Sequence, residues 1–192
     1  MIYLFGNNSI AENIYDELCS LNKYVCSIIV DDEFYSEDFN HRIKLKITRY
    51  SELTFSKDDT VYNCFGYSDL RRRLKIGDRL QQLNILGTFV SLNANIASSV
   101  SLAPGTVILG NSTIERNVTV GHSCLLWGGA RVCHDTVLKA GVFLASGSVV
   151  GGCCEVGEFS SVGFNSSVKE HCIVPSGTKV GANRFFNGKH HE

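Results

Sequence analysis

The sequence predicts an α/β N-terminal domain over residues 1–86, built on a small Rossmann-like parallel sheet, followed over 87–192 by an all-β domain that winds as a parallel β-helix. Three observations predict this. Aliphatic residues recur every six positions from Val90 to Val180. Small residues recur at a fixed offset from them. Before Val90 the beat is different, and short apolar runs alternate with segments of helical spacing.

The N-terminal elements follow in order. Ile2 to Phe5 is a short apolar strand. Ile10, Ile14 and Leu18 recur at helical spacing, which predicts a helix over Ser9 to Leu21. Val25 to Val30 is a second strand and ends in Asp31 and Asp32; Thr60 to Phe65 is a third and is followed by Gly66. Ser68 to Leu83 reads as a helix with Ser68 as its N-cap and Gly77 weakening its middle. The Arg71-Arg72-Arg73 run in it reads as a solvated face. Strand–helix–strand order implies a parallel sheet, and such sheets bind ligands at the carboxyl ends of their strands. Those ends are Gly6-Asn7-Asn8-Ser9, Asp31-Asp32 and Gly66-Tyr67. A helix N-terminus there suits a phosphate. For Asp31 and Asp32, a solvated turn and a nucleotide contact are both open. The GxGxxG fingerprint is absent, so a nicotinamide dinucleotide is not expected.

The repeat is the stronger signal. Stepping by six from Val90 meets sixteen residues, all aliphatic. Two residues before them stand Ala94, Val100, Thr106, Ser112, Val118, Cys124, Ala130, Thr136, Val142, Ser148, Cys154, Ser160, Ser166, Cys172 and Thr178, all small. One unit makes a short strand and a turn, and three units close a triangular coil of about eighteen residues stacked at about 4.8 Å. The aliphatic side chain points in and stacks on its equivalent one coil above; the small one fits the corner. A two-residue period would not hold a six-residue phase, which excludes ordinary strands. End coils need caps, and Phe185 and Phe186 are the candidates at the far end.

Composition narrows the function. Eighteen basic and nineteen acidic residues leave a formal net charge of −1. A chain so balanced has no overall field for nucleic acid or an anionic membrane. No apolar run is long enough to span a bilayer, and the start turns polar after five residues, so a cytoplasmic chain is expected. The eight cysteines form no CxxC pair and no zinc-finger spacing, and most read as small buried hydrophobes. Of six histidines (41, 122, 134, 171, 190 and 191), His122 and His134 share one hexad phase near a corner. An outward histidine on a smooth prism has a pocket only if a second subunit supplies the other wall.

Residues 87–180 resemble the hexapeptide-repeat nucleotide-sugar acetyltransferases, relatives of the sialic acid O-acetyltransferases. The resemblance rests on Cys133-His134-Asp135-Thr136-Val137, on the acidic pair in IIVDDEFY, and on the stretch from Gly66 to Leu74. It implies a left-handed helix. It implies a homotrimer with sites between subunits, and acetyl-CoA as co-substrate with no metal. The acceptor it implies is a UDP- or dTDP-linked 4-amino-4,6-dideoxy sugar, acetylated directly on its amine for surface glycan or O-antigen synthesis. By the same resemblance His134 is the general base, Asp135 its helper, and the Gly152 N–H holds the thioester oxygen. The repeat independently places Gly152 one coil above His134, eighteen residues on. Gly6, Asn7, Asn8, Ser9, Asp31, Asp32 and Gly66 are the expected nucleotide-sugar contacts. Gly152, Ser161, Gly163, Gly181 and Arg184 are the expected acetyl-CoA contacts. Three departures stand out. The opening loop is Phe5-Gly6-Asn7-Asn8-Ser9, with fewer glycines than in relatives. The usual second histidine, nine residues after the base, is Phe143 and becomes a substrate-pocket candidate. Ser91-Leu92-Asn93 replaces the His-Pro-Ser entry to the helix. The alternatives are O-acetylation of a sugar hydroxyl, a zinc carbonic anhydrase using His122, His134 and His171, and a non-catalytic scaffold.

Overall fold

The computed structural model describes residues 1–36 and 43–188; His41, His190 and His191 lie outside the described residues. The first part is a five-stranded parallel sheet. Its elements are β1 (Ile2–Phe5), α1 (Ser9–Ser20), β2 (Val25–Val30), β3 (Ile47–Arg49), β4 (Thr60–Asn63), α2 (Leu70–Gln82) and β5 (Leu86–Gly87), with strand order β3-β2-β1-β4-β5. The two short strands β3 and β5 carry too few apolar residues to announce themselves in sequence. Helix α2 starts two residues later than the sequence suggests. Asp69, not Ser68, caps it, its side chain accepting from the Arg72 N–H at 2.9 Å.

From Phe89 to Phe186 the chain winds as a three-faced prism of two-residue strands, each paired in parallel with the strand eighteen residues on, as in Thr113↔Arg131↔Val149. The first face runs from Phe89–Val90 to Lys179–Val180, the second from Asn95–Ile96 to Phe185–Phe186, and the third from Ser101–Leu102 to Ile173–Val174. Ile108, Leu126, Leu144 and Val162 stack fully buried along the first face. Each such side chain contributes about 1.5–3 kcal/mol. Phe185–Phe186 adds a further strand to the second face; Phe186 packs on the far end of the prism core, as a cap does, while Phe185 is exposed.

The small corner residues do more than fit. Thr106, Ser112, Cys124, Thr136, Cys154 and Ser160 each donate to the carbonyl fifteen residues on, at 2.8–3.2 Å. Such a donor satisfies the corner carbonyl wherever the position holds Ser, Thr or Cys; Ala94, Val100, Val118, Ala130 and Val142 fill it without one. Half of the cysteines are buried: Cys64, Cys124, Cys154 and Cys172. Cys19 is exposed, and Cys26, Cys133 and Cys153 are partly exposed, so the buried-hydrophobe reading covers only half of them.

The first part packs on the first face of the prism. The outward residues Phe89, Val107, Leu125 and Phe143 are buried against the residues of the α/β unit in one apolar cluster. Arg73 seals the joint. It is fully buried. Its Nε donates to the Ser123 carbonyl at 2.9 Å, and Nη1 donates to those of Asn63 and Phe65 at 2.8 and 2.6 Å. This corrects the solvated-face reading of the arginine run: Arg73 is interior, and Arg72 is bound to acidic partners. Gly77 packs α2 closely on the corner at Ser123, where a Cβ would stand 2.1 Å from the serine oxygen. No helix of the described residues is long and apolar enough to cross a membrane.

Candidate active site

Two places among the described residues gather groups suited to chemistry. The first is a cavity of about 440 Å³ at the carboxyl ends of β1, β2 and β4. Gly6, Asn7, Asn8, Ser9, Asp31 and Gly66 all line it, joined by Phe34, Phe65, Tyr67 and Trp127. Gly6 has φ +122°, and a Cβ there would stand 3.0 Å from the Cys64 carbonyl, so the loop needs glycine at this point. Asn8 is spent on structure. Its Oδ1 caps α1 by accepting from the Ile10 N–H at 2.9 Å, and its Nδ2 donates to the Cys64 carbonyl at 2.7 Å. Asp31 is fixed from two sides, by Arg72 at 2.9 Å and Arg79 at 2.8 Å. Asp32 turns away from the cavity, and its carboxylate accepts from the Ser51 N–H, which lowers its pKa.

Aromatic residues form the wall that faces the prism. Tyr67 stacks on Phe143 with centroids 4.4 Å apart and planes 7° apart, and meets Trp127 edge-on at 6.5 Å. Phe143 is therefore buried behind Tyr67 and backs the wall. The Trp127 Nε1–H is buried and has no hydrogen-bond partner among the described residues. Sequence reading missed Phe34, Phe65 and Trp127. Trp127 lies outside the repeat phases that were followed, and nothing local marks it as facing another domain.

The second place is the corner between the second and third faces. His134 Nδ1 lies 2.8 Å from Asp135 Oδ2. The same carboxylate accepts from Asn117 Nδ2 at 2.9 Å and lies 3.3 Å from Arg116 Nη1. The hydrogen bonds from Asn117 and His134 hold the Asp135 carboxyl below the usual range. A carboxylate at Nδ1 places the ring proton there and leaves Nε2 bare, the state a base requires. Asp135 sits at φ 57°, a left-handed conformation that turns its side chain back toward the histidine. The His134 N–H is held by Glu115 Oε2 at 3.1 Å.

Gly152 lies directly against the ring. A Cβ there would stand 2.9 Å from Nε2 and 2.8 Å from Cε1. Its own N–H donates to no group among the described residues, whereas the Cys153 N–H next to it is bonded to the His134 carbonyl at 2.9 Å. The corner thus offers one bare imidazole nitrogen and one free backbone donor side by side.

The other candidates are scattered. Gly163, Gly181 and Arg184 sit at the corner between the first and second faces. Ser161 lies on the first face, in a groove with Arg71, Phe159 and Lys179. Neither location is the corner of Gly152. The cavity and His134 are also apart: Trp127 precedes, and His134 follows, the second-face strand Arg131–Val132. Within one chain the three prism histidines do not converge. His122 lies 3.2 Å from Asp78 at the joint with α2, on a different corner from His134, and His171 is one coil beyond Cys153.

No protein-family model and no curated protein matches the chain. Solved structures do. The acetyltransferase domain of PglB from Neisseria gonorrhoeae FA1090, in complex with acetyl coenzyme A, is 18% identical with a TM-score of 0.82, covering 97% of this chain and 93% of that one. PerB from Caulobacter crescentus, in complex with CoA and GDP-perosamine, is 20% identical with a TM-score of 0.83, covering 98% and 89%. WeeI from Acinetobacter baumannii AYE is 16% identical with a TM-score of 0.74, covering 100% and 98%. From end to end, this chain has the fold of these structures, a small α/β domain leading into a left-handed parallel β-helix.

Proposed function

We propose that the protein transfers acetyl from acetyl-CoA to the 4-amino group of a nucleotide-linked 4-amino-4,6-dideoxy sugar. The observation that carries this reading is the His134–Asp135 pair at 2.8 Å with Gly152 packed against the ring, its N–H bonded to no group among the described residues. An amine is largely protonated at neutral pH and must lose a proton to attack a thioester. His134 Nε2 takes that proton, which supplies about 10²–10⁴-fold. Asp135 holds the ring in the required tautomer and favours the imidazolium that forms. The thioester oxygen gains charge as the amine attacks, and the Gly152 N–H donates to it, a contribution of about 10²–10³-fold. The collapse expels the CoA thiolate and leaves the amide.

The cavity at the ends of β1, β2 and β4 takes the nucleotide. Ser9 at the start of α1 offers its N–H to the diphosphate, those of Ile10 and Ala11 being taken by Asn8 Oδ1, and the rings of Phe34, Phe65 and Tyr67 offer flat apolar surface. The similar PerB structure holds CoA and GDP-perosamine, and the PglB domain holds acetyl coenzyme A. The cavity and His134 lie one side of the prism apart, which supports a homotrimer in which one chain's cavity faces the next chain's histidine.

The test is release of free thiol from acetyl-CoA with a panel of UDP-, dTDP- and GDP-linked 4-amino sugars. Turnover with one of them, lost in His134→Asn, is the expected result. Turnover only with a hydroxyl sugar would move the reaction to O-acetylation. No turnover with any acceptor would leave a binding scaffold.

A further inference from the structure

We propose that His134, Asp135 and Cys153 bind a divalent cation of the zinc type, and that this cation blocks the site reversibly instead of serving as a cofactor. One ring nitrogen, one carboxylate oxygen and one thiol sulfur lie within 4.8 Å of one another, and no other such group of three is present among the described residues. A tetrahedral zinc site holds its donors about 2.0–2.3 Å from the ion, hence about 3.3–3.8 Å from each other. A side-chain shift of about 1 Å therefore closes this trio on a cation; all three residues are at least partly exposed, and Asn117 holds only Oδ1 of Asp135, so Oδ2 can turn from the histidine to the ion.

The backbone holds the donors in place. Asp135 and Cys153 are one coil apart at the same corner position, with φ 57° and 56°, so their side chains stack. The Cys153 N–H bond to the His134 carbonyl ties the two turns together. Nothing in the packing requires a thiol here. Its neighbour Cys154 fills the corner and donates to the Lys169 carbonyl, while Cys153 makes no side-chain hydrogen bond among the described residues. Asparagine takes the left-handed conformation more readily than most non-glycine residues, and it holds six of the eleven such non-glycine positions among the described residues. A sulfur, an imidazole and one carboxylate select zinc over magnesium or calcium. Arg116, 3.3 Å from the carboxylate, opposes the cation and Glu115, bonded to the His134 N–H, favours it. On binding, the thiol S–H bond breaks, an S–metal bond forms, and the proton passes to solvent. The ion also parts Asp135 from Nδ1 and binds that nitrogen, whose proton passes through solvent to Nε2, so the histidine then has no base to offer. That last step alone rests on the acetyl-transfer reading.

The binding test uses the full chain, stripped by chelator and titrated with Co²⁺ alone. The expected result is a thiolate-to-cobalt charge-transfer band saturating at one ion per chain, abolished by Zn²⁺ and absent in Cys153→Ser and Cys153→Asn. Both variants suit the backbone, since Ser123 and Asn117 occupy the same conformation at φ 55° and 58°. No band in the wild type, or a band that survives in both variants, overturns the site. A separate assay adds Zn²⁺ to the acetyl-transfer reaction. Inhibition that needs about tenfold more Zn²⁺ in Cys153→Asn is expected; equal sensitivity overturns the blocking role. A chain that shows the band yet transfers no acetyl retains the metal site and refutes the function. A chain that transfers acetyl yet shows no band does the reverse.

Discussion

At the scale of single residues, two adjacent glycines do different work. Gly152 lies against the His134 ring, with the ring atoms at 2.8–3.3 Å from where a Cβ would be. Gly152→Ala keeps the backbone donor but pushes the imidazole off its position. The expected result is a fall in kcat of about 10²-fold or more with the melting temperature unchanged. Gly151 instead faces backbone, with the Glu170 nitrogen 2.5 Å from its hypothetical Cβ. Gly151→Ala forces two coils apart, and a loss of about 1–3 kcal/mol in denaturant unfolding is expected. The choice of His134 and Gly152 rested on the resemblance, whereas the stacking of one on the other was legible in the sequence, because a period of eighteen converts sequence distance into stacking. Cys153 was not, because a thiol one coil above an acid matters only once left-handed backbone at both turns lines up their side chains.

At the scale of the element, each coil presents one inward aliphatic residue per side, and the corners carry either a Ser, Thr or Cys donor or, at Ala94, Val100, Val118, Ala130 and Val142, a small apolar residue. The inward set follows the six-residue beat, and so the prism was legible in all but its hand, which rested on the resemblance. The thiols sharpen the corner argument. Burial pushes the pKa of both Cys64 and Cys124 up to about 12. A thiol reagent attacks the thiolate, so these two remain unreactive in the native chain at pH 8, where an exposed thiol is partly ionised. The expected pattern by mass spectrometry is labelling at Cys19 and no labelling at Cys64 or Cys124 until denaturant is added. Native labelling of Cys124 would mean that the corner opens, and would contradict its hydrogen bond to the Lys139 carbonyl at 3.1 Å.

At the scale of the whole molecule, the joint between the two parts is the feature sequence reading passed over. Its signal was present at a longer period: Phe89, Val107, Leu125 and Phe143 are outward, apolar and eighteen apart, and mark the covered face. Arg73 gave no such signal, because a run of three arginines looks like surface until its partners are known. Burial lowers the Arg73 pKa to about 10, which leaves it charged at neutral pH and bound to backbone carbonyls from both parts. Arg73→Met leaves those acceptors buried and unpaired, and a loss of about 3 kcal/mol or more is expected. Arg73→Lys does not restore the stability, because a compact ammonium lacks the reach of the guanidinium fork.

The last consequence concerns how cavity and base meet. In one chain the cavity adjoins Trp127 before the second face and His134 follows that face, so a composite site needs two chains. Ser9→Trp fills the cavity from an exposed position at its rim, and His134→Asn removes the base. Each variant alone is expected to be inactive. If one chain's cavity serves the next chain's histidine, unfolding and refolding the two together restores activity. Random assembly then gives an intact pairing at about a quarter of the interfaces, which is the recovery expected. Light scattering on the same sample should report three chains per particle. Mixed particles with no activity, in an assay where the wild type turns over, would place both halves of the site within one chain and end the shared-site reading.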